Sequence, residues 1–281
     1  MSLPRAFVFD IDGVLKTTLK GALPHAQDTL DGLSQKGIPY RLMTNFPFLD
    51  QEAMEKRMNT WGLKVDPMLI YGAAHPLNGY LERNPLRSNN VWSIGLEDPA
   101  PFLNQYGLKV ANHLEAKELG AMVLFDDDYW WDTEKISLVF NLLLADPKLP
   151  LIIPNPDLLF PERPGHFMLT SGSIGQLLQN LCEAKGRHLS PIYLGKPHLP
   201  LFRMTQEALA IDLPNLKPEQ IAMVGDTPAT DILGGNQAGW QTWLVKTGGF
   251  RYGEHFEGAQ PNRVFENLLP ILEEINSSHS L

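Results

Sequence analysis

Short apolar runs alternate with amphipathic stretches along nearly the whole chain. Ala6-Phe7-Val8-Phe9 reads as a buried strand. Apolar positions at Ala26, Leu30 and Leu33 then recur at helical spacing and stop at Lys36-Gly37, a cation followed by a C-cap glycine. Ile38 to Met43 is the next strand, and a helix from about Asp50 to Trp61 closes at Gly62. This order predicts a βαβ unit and a parallel sheet with helices on its faces. The rhythm returns late in the chain. Strands are expected at Ile192-Tyr193-Leu194, Ile221 to Val224 and Thr242 to Val245, with helices at about Pro200 to Ala210, Ala229 to Ala238 and Val264 to Ile275. The polar end, Asn276 to Leu281, is expected to be disordered.

The middle has another texture. Prolines and glycines are frequent between about Ala74 and Arg87. Strands are predicted at Val91 to Ile94, Ala121 to Phe125 and Leu151 to Pro154, and helices at Asp132 to Leu144 and Ser171 to Lys185. A second α/β unit inserted into the first gives this pattern, and so does a tandem of two domains. The 281 residues fit two domains, or one large α/β domain with an insertion.

Composition narrows the function. A formal net charge of −9 argues against general nucleic-acid affinity, which needs basic surface, but not against a phosphorylated small molecule held by local cations. No apolar stretch is long enough to span a bilayer. The strand at Ala6 leaves no room for a signal peptide, so the cytoplasm is the expected compartment. The single cysteine, Cys182, excludes an intramolecular disulfide and sits in an apolar helical pattern, where a buried thiol is expected.

Four places carry candidate chemistry. Asp10 and Asp12 follow the first strand and precede Gly13. Two carboxylates at a strand's carboxyl end can hold a hard cation or divide nucleophile and acid–base duties, although an isolated acidic turn is more often just a polar cap. Thr44-Asn45 follows the second strand, and its hydroxyl and amide can donate to phosphate oxygens or simply cap a turn. Lys196, after Gly195 and before Pro197, can neutralise a phosphate or pair with an aspartate. Asp226 and Asp231 lie in the run Gly225 to Asp231 after the strand Ile221 to Val224. All four places follow apolar strands of one apparent parallel sheet. That puts acids, a lysine and a hydroxyl on one edge, as phosphoryl transfer requires.

These runs, Asp10-Ile11-Asp12-Gly13-Val14, Thr44-Asn45, Gly195-Lys196-Pro197 and Gly225 to Asp231, resemble in kind and order the haloacid dehalogenase (HAD) superfamily of phosphatases. The gap of about 150 residues between Thr44 and Lys196 is similar to the class IIA, NagD-like branch, which carries a large α/β cap there. The resemblance implies a doubly wound, Rossmann-like parallel-sheet core at residues 1–74 and 188–281, and a smaller inserted α/β cap at 75–187. It implies a hydrolase forming an aspartyl-phosphate at Asp10, with Asp12 as general acid and base. Mg²⁺ would be held by the Asp10 carboxylate, the Asp12 backbone carbonyl and Asp226, with Asp231 supporting that shell. Thr44, Asn45 and Lys196 would bind the phosphoryl group, and the cap would close over it. A sugar phosphate or nucleoside monophosphate is the expected substrate, and a homodimer through the cap one arrangement. The rivals are a phospholigand-binding protein on the same fold and a phosphotransferase.

Some features depart from that pattern or stand outside it. Phe46-Pro47-Phe48 replaces a more polar run and suggests an apolar wall near the substrate. The place of Phe160 lacks a histidine found in relatives acting on vitamin B6 phosphate. Asp126-Asp127-Asp128 reads as a solvated turn with Asp132 as a helix N-cap, and Trp130-Trp131 as cap packing or a subunit contact. His198 is expected at a surface helix start. His75, His113 and His166 show no metal-ligand spacing.

Overall fold

In the computed structural model, residues 3–17, 21–47, 51–95, 98–111, 116–126, 132–163, 165–249 and 258–278 are described. Along the chain the strands are β1 (Ala6–Asp10), β2 (Lys16–Thr17), β3 (Gly21–Ala22), β4 (Tyr40–Thr44), β5 (Ile70–Gly72), β6 (Asn90–Ile94), β7 (Lys109–Val110) and β8 (Ala121–Leu124). Then come β9 (Leu151–Ile153), β10 (Leu159–Arg163), β11 (His166–Leu169), β12 (Ile192–Tyr193), β13 (Ile221–Gly225), β14 (Gln241–Val245) and β15 (Arg263–Phe265). The helices are α1 (Ala26–Lys36), α2 (Gln51–Thr60), α3 (Leu77–Arg83), α4 (Ala100–Asn104), α5 (Thr133–Ala145), α6 (Ser171–Ala184), α7 (Leu199–Asp212), α8 (Leu233–Gln237) and α9 (Leu269–Ser277).

Two compact units result. One takes residues 1–44, 50–72 and 196–281, the other 45–49 and 73–195. The first unit holds a six-stranded sheet in the order β15-β14-β13-β1-β4-β5, parallel at every pairing. Its central strand β1 is buried on both faces, so it reads as a continuous apolar run rather than an alternating one. Ala6 and Val8 pack with Leu201, Phe202 and Leu209 of α7. Phe7 points the other way, with its ring 5.4 Å from that of Trp243. Gly37 closes α1 at φ 68°, and its N–H returns to the carbonyls of Leu33 and Ser34.

The second unit is also α/β. Its five-stranded sheet, β12-β9-β8-β6-β7, is parallel throughout. Strand β8 alternates faces. Met122 and Leu124 pack with Val139, Leu143 and Leu178 of α5 and α6, whereas Ala121 and Val123 pack with Leu77, Phe102 and Leu103 of α3 and α4. Cys182 is buried in the former layer. Asp132 caps α5, accepting from the Lys135 N–H at 2.7 Å. Strands β10 and β11 form an antiparallel hairpin of their own.

Several sequence expectations need correction. Ile192-Tyr193 does not join the first unit's sheet: β12 pairs with β9, so the first unit resumes at Lys196 rather than at residue 188. Two apolar residues carry no information about which sheet they will join. Val264 lies in β15, opposite Leu244, and not in the last helix, which starts at Leu269. Val264 and Phe265 fall at spacings that a helix through Leu268 and Leu269 also satisfies, so periodicity alone merges them. Asn276 and Ser277 belong to α9, and 279–281 lie outside the described residues. The helix expected over Ala229 to Ala238 begins as a π-helical turn, Pro228–Ile232, before α8. The stretch between Ala74 and Arg87, for which no element is expected from sequence, contains α3.

Candidate active site

The register of three parallel strands assembles the site. Phe9 of β1 pairs with Val224 of β13, so Asp10 lies level with Gly225 and Asp226 follows directly. On the other side Asp10 pairs with Met43 of β4, and Thr44 is the next residue. Asp10, Thr44 and Asp226 therefore gather at the carboxyl ends of adjacent central strands, where open α/β sheets bind ligands. All three are buried. Lys196 reaches this point from the start of the last core segment. Its ammonium donates to Asp10 Oδ1 at 2.5 Å and to the Met43 carbonyl at 3.3 Å, and pairs with Asp231 Oδ1 at 2.8 Å. A cap strand, not a core strand, leads into it.

Asp231 is placed by the π-helical turn. Its other oxygen, Oδ2, accepts the N–H groups of Asp226 and Thr227, both at 3.1 Å. It thus fixes the loop that carries Asp226 while holding Lys196. Carboxylate oxygens of Asp10, Asp226 and Asp231 all lie within 4.8 Å of one another. Asp12 does not contribute its side chain to that group. Its carboxylate is half-exposed and paired with the ammonium of Lys16.

The electrostatics are unbalanced. Among the described residues, three buried carboxylates face one ammonium. Burial pushes the Asp10 carboxyl well above its ordinary range; Lys196 pulls the other way, and Asp231 and Asp226 add to the rise. Burial and then Asp231 lift Asp226 to about 7, against the Gly249 N–H and Lys196. Burial alone would lower the Lys196 pKa, but Asp10 and Asp231 outweigh it and raise it above the usual lysine value. A hard divalent cation would relieve this excess of negative charge, and an all-oxygen donor set suits one. The residues present therefore fit a metal.

One segment was not singled out by sequence pattern: Thr247-Gly248-Gly249, just beyond β14. Gly249 donates its N–H to Asp226 Oδ2, and Thr247 donates its hydroxyl to the Gly13 carbonyl at 2.5 Å. A Cβ at Gly248, or at Gly13 (φ 86°), would overlap the Asp226 carboxylate. The available signal was a glycine pair at the end of one more parallel strand.

Asn45 begins the second unit, where its side-chain amide donates to Asp157 Oδ1 at 2.8 Å. Phe46 is exposed there. Asp126 is not a solvated turn. It follows β8, and accepts from the Ser171 N–H and hydroxyl, both at 2.7 Å, and from Asn155 Nδ2 at 2.5 Å. It thereby caps the first turn of α6. Residues 127–131, His113 and Phe48 lie outside the described residues. His198 is the N-cap residue of α7 and is half-buried rather than exposed. His166 lies within 2.9 Å of Glu162, and burial lowers His75 to about 4. Neither joins the acidic cluster. No described helix is long and apolar enough to cross a membrane.

Comparison with known proteins identifies the family. A family model for haloacid dehalogenase-like hydrolases matches residues 7–109, and a second, HAD-hydrolase-like model matches 193–271. The chain is 28% identical to the ribonucleotide monophosphatase NagD of Escherichia coli K12, over 86% of this chain and 87% of that protein. It is 25% identical to dihydroxyacetone phosphatase of Corynebacterium glutamicum, over 88% and 83%. The crystal structure of a possible sugar phosphatase from Cytophaga hutchinsonii superposes with a TM-score of 0.78 at 26% identity, covering 94% of each chain. Two family models, one at each end of the chain, and relatives that span both units lead to one assignment: the chain is a phosphatase of the haloacid dehalogenase superfamily, in its NagD-like class IIA branch.

Proposed function

We propose that the protein is a Mg²⁺-dependent phosphomonoester hydrolase that works through an aspartyl-phosphate at Asp10. The observation that carries this reading is the Lys196 ammonium shared between Asp10 and Asp231 inside a cluster completed by Asp226. An oxygen of Asp10 attacks phosphorus as the bond to the leaving oxygen breaks, and Asp12 gives that oxygen its proton. Asp12, now a carboxylate, takes a proton from water as the water oxygen attacks the aspartyl-phosphate. Inorganic phosphate leaves and the Asp10 carboxylate is restored.

Lys196 and the Thr44 hydroxyl hold the oxygens of the transferring group, with Asn45 as a further phosphate-binding residue. The Asp10 carboxylate, the Asp12 backbone carbonyl and Asp226 would hold Mg²⁺, and Asp231 keeps the Asp226 loop in place. Bound there, the cation supplies charge neutralisation for the phosphoryl oxygens. NagD and the Corynebacterium enzyme, named for a nucleoside monophosphate and a triose phosphate, support a small phosphorylated metabolite as substrate.

Phosphate release from a panel of sugar phosphates and nucleoside monophosphates, with Mg²⁺, tests the reading. The wild type is expected to turn over at least one, and Asp10→Asn to lose on the order of 10³-fold or more. Equal rates for the two proteins would falsify the nucleophile assignment. No release from any phosphate by folded wild type would favour a binding protein, and transfer to an alcohol acceptor a phosphotransferase.

A further inference from the structure

A second buried lysine stands beside the site, and the mechanism above does not use it. Lys16 opens β2 with its side chain only 6% exposed. Its ammonium pairs with Asp12 Oδ1 and lies 4.0 Å from the centre of the Trp61 ring, over its face. The turn between them makes the pairing rigid. Gly13 donates its N–H to the Lys16 carbonyl at 2.7 Å, and Lys16 donates its own to the Ile11 carbonyl at 3.0 Å. Residues 12 and 16 are bridged through the backbone. Trp61 is tied in turn to the facing strand, its carbonyl accepting from the Ala22 N–H at 2.7 Å.

Burying an ammonium is costly unless an anion and good geometry compensate. An apolar side chain of similar length would fill the same space without that cost. Here the anion is the carboxylate that the proposed chemistry needs to aim twice, first at a leaving oxygen and then at water. That carboxylate is half-exposed. A side chain so placed has several rotamers open to it unless a partner selects one.

We propose that Lys16, braced on Trp61, is the positioning residue for Asp12: it selects the side-chain rotamer from which Asp12 serves as acid and base. The proposal rests on the reading of Asp12 as general acid. It predicts a loss that depends on the leaving group. An alkoxide must be protonated as the P–O bond breaks, whereas p-nitrophenolate is stable enough to leave without a proton. Misaiming the acid therefore harms an alkyl phosphate more than p-nitrophenyl phosphate.

The experiment measures kcat/KM with Mg²⁺ on p-nitrophenyl phosphate and on an alkyl phosphate that the wild type hydrolyses. Wild type, Lys16→Met, Lys16→Arg and Asp12→Asn are compared. For Lys16→Met the loss on the alkyl phosphate should exceed that on the aryl phosphate by on the order of tenfold, the scale of one lost charge-assisted hydrogen bond. Lys16→Arg, which keeps the charge and can still stack on Trp61, should recover most of the difference. Asp12→Asn should show the same split, larger. Equal losses on both substrates for Lys16→Met, or no loss, overturn the role of Lys16 if Asp12→Asn still splits them. If Asp12→Asn itself does not split them, the general-acid reading fails and the proposal goes with it. Should Lys16→Met not fold, Trp61→Leu carries the same test, with a smaller split expected and equal losses overturning the proposal.

Discussion

The two units each bury a polar cluster beyond the ends of parallel strands, and the clusters differ in how far they are satisfied. In the second unit, Asp126 accepts from Asn155 and from the Ser171 N–H and hydroxyl, while Asp157 is linked to Asn45 and, through its N–H at 2.9 Å, to Asn155 Oδ1. These hydrogen bonds all come from neutral donors of the unit itself. In the first unit, Asp10, Asp226 and Asp231 share one ammonium, and two of the three carboxyls are driven up in pKa. A matched cluster is a staple. An unmatched one is held in place by the fold around it and gains most from what it binds.

Lys196→Met sharpens this contrast most. Removing the ammonium leaves three buried carboxylates facing one another, and breaking a buried ion pair costs about 3–5 kcal/mol. We expect a metal-free protein destabilised by that order in chemical denaturation, and phosphate release reduced on the order of 10²-fold or more.

The second test is linkage to pH. Asp226 holds its proton more tightly when folded, with a pKa of about 7, than in an unfolded chain, at about 4. Its contribution to the stability of the metal-free protein is thus fully present below about pH 4 and is lost as pH rises through about 7. A bound cation favours the ionised form. The rise in Tm on adding Mg²⁺ should therefore be larger at pH 8 than at pH 5. An equal rise at both would place the cation away from Asp226.

The smallest effect is expected in the second unit. Asp126→Ala removes the acceptor for the first turn of α6 and should cost about 1–3 kcal/mol in unfolding measurements. Mg²⁺ affinity, measured by calorimetry on the folded variant, should not follow. A large change in it would dissolve the distinction between the two clusters.

The parts of the site legible in the sequence were those carried by neighbours in the chain. Asp10 and Asp12, Thr44 after its strand, and Asp226 to Asp231 are each short runs at the end of an apolar segment. The Lys196 motif is legible too, but the sheet its strand joins is not, because β12 offers two residues and no partner information. The hairpin of β10 and β11 is not legible because its residues are mostly exposed, so no inside–outside alternation marks it. Lys16, Thr247 and Gly248 owe their places to turns that bring them against Asp12, Gly13 and Asp226. Spacing along the chain does not encode such contacts.

The flush register of β13, β1 and β4 also bears on how the gene can change. Deleting one codon within β1 would draw Asp10 back by about 3.3 Å and turn its side chain to the opposite face of the sheet. An added residue in a surface loop would leave the pairing of Phe9 with Val224 untouched. Length variation in this lineage should therefore collect in the loops, while these three strands keep their length to the residue.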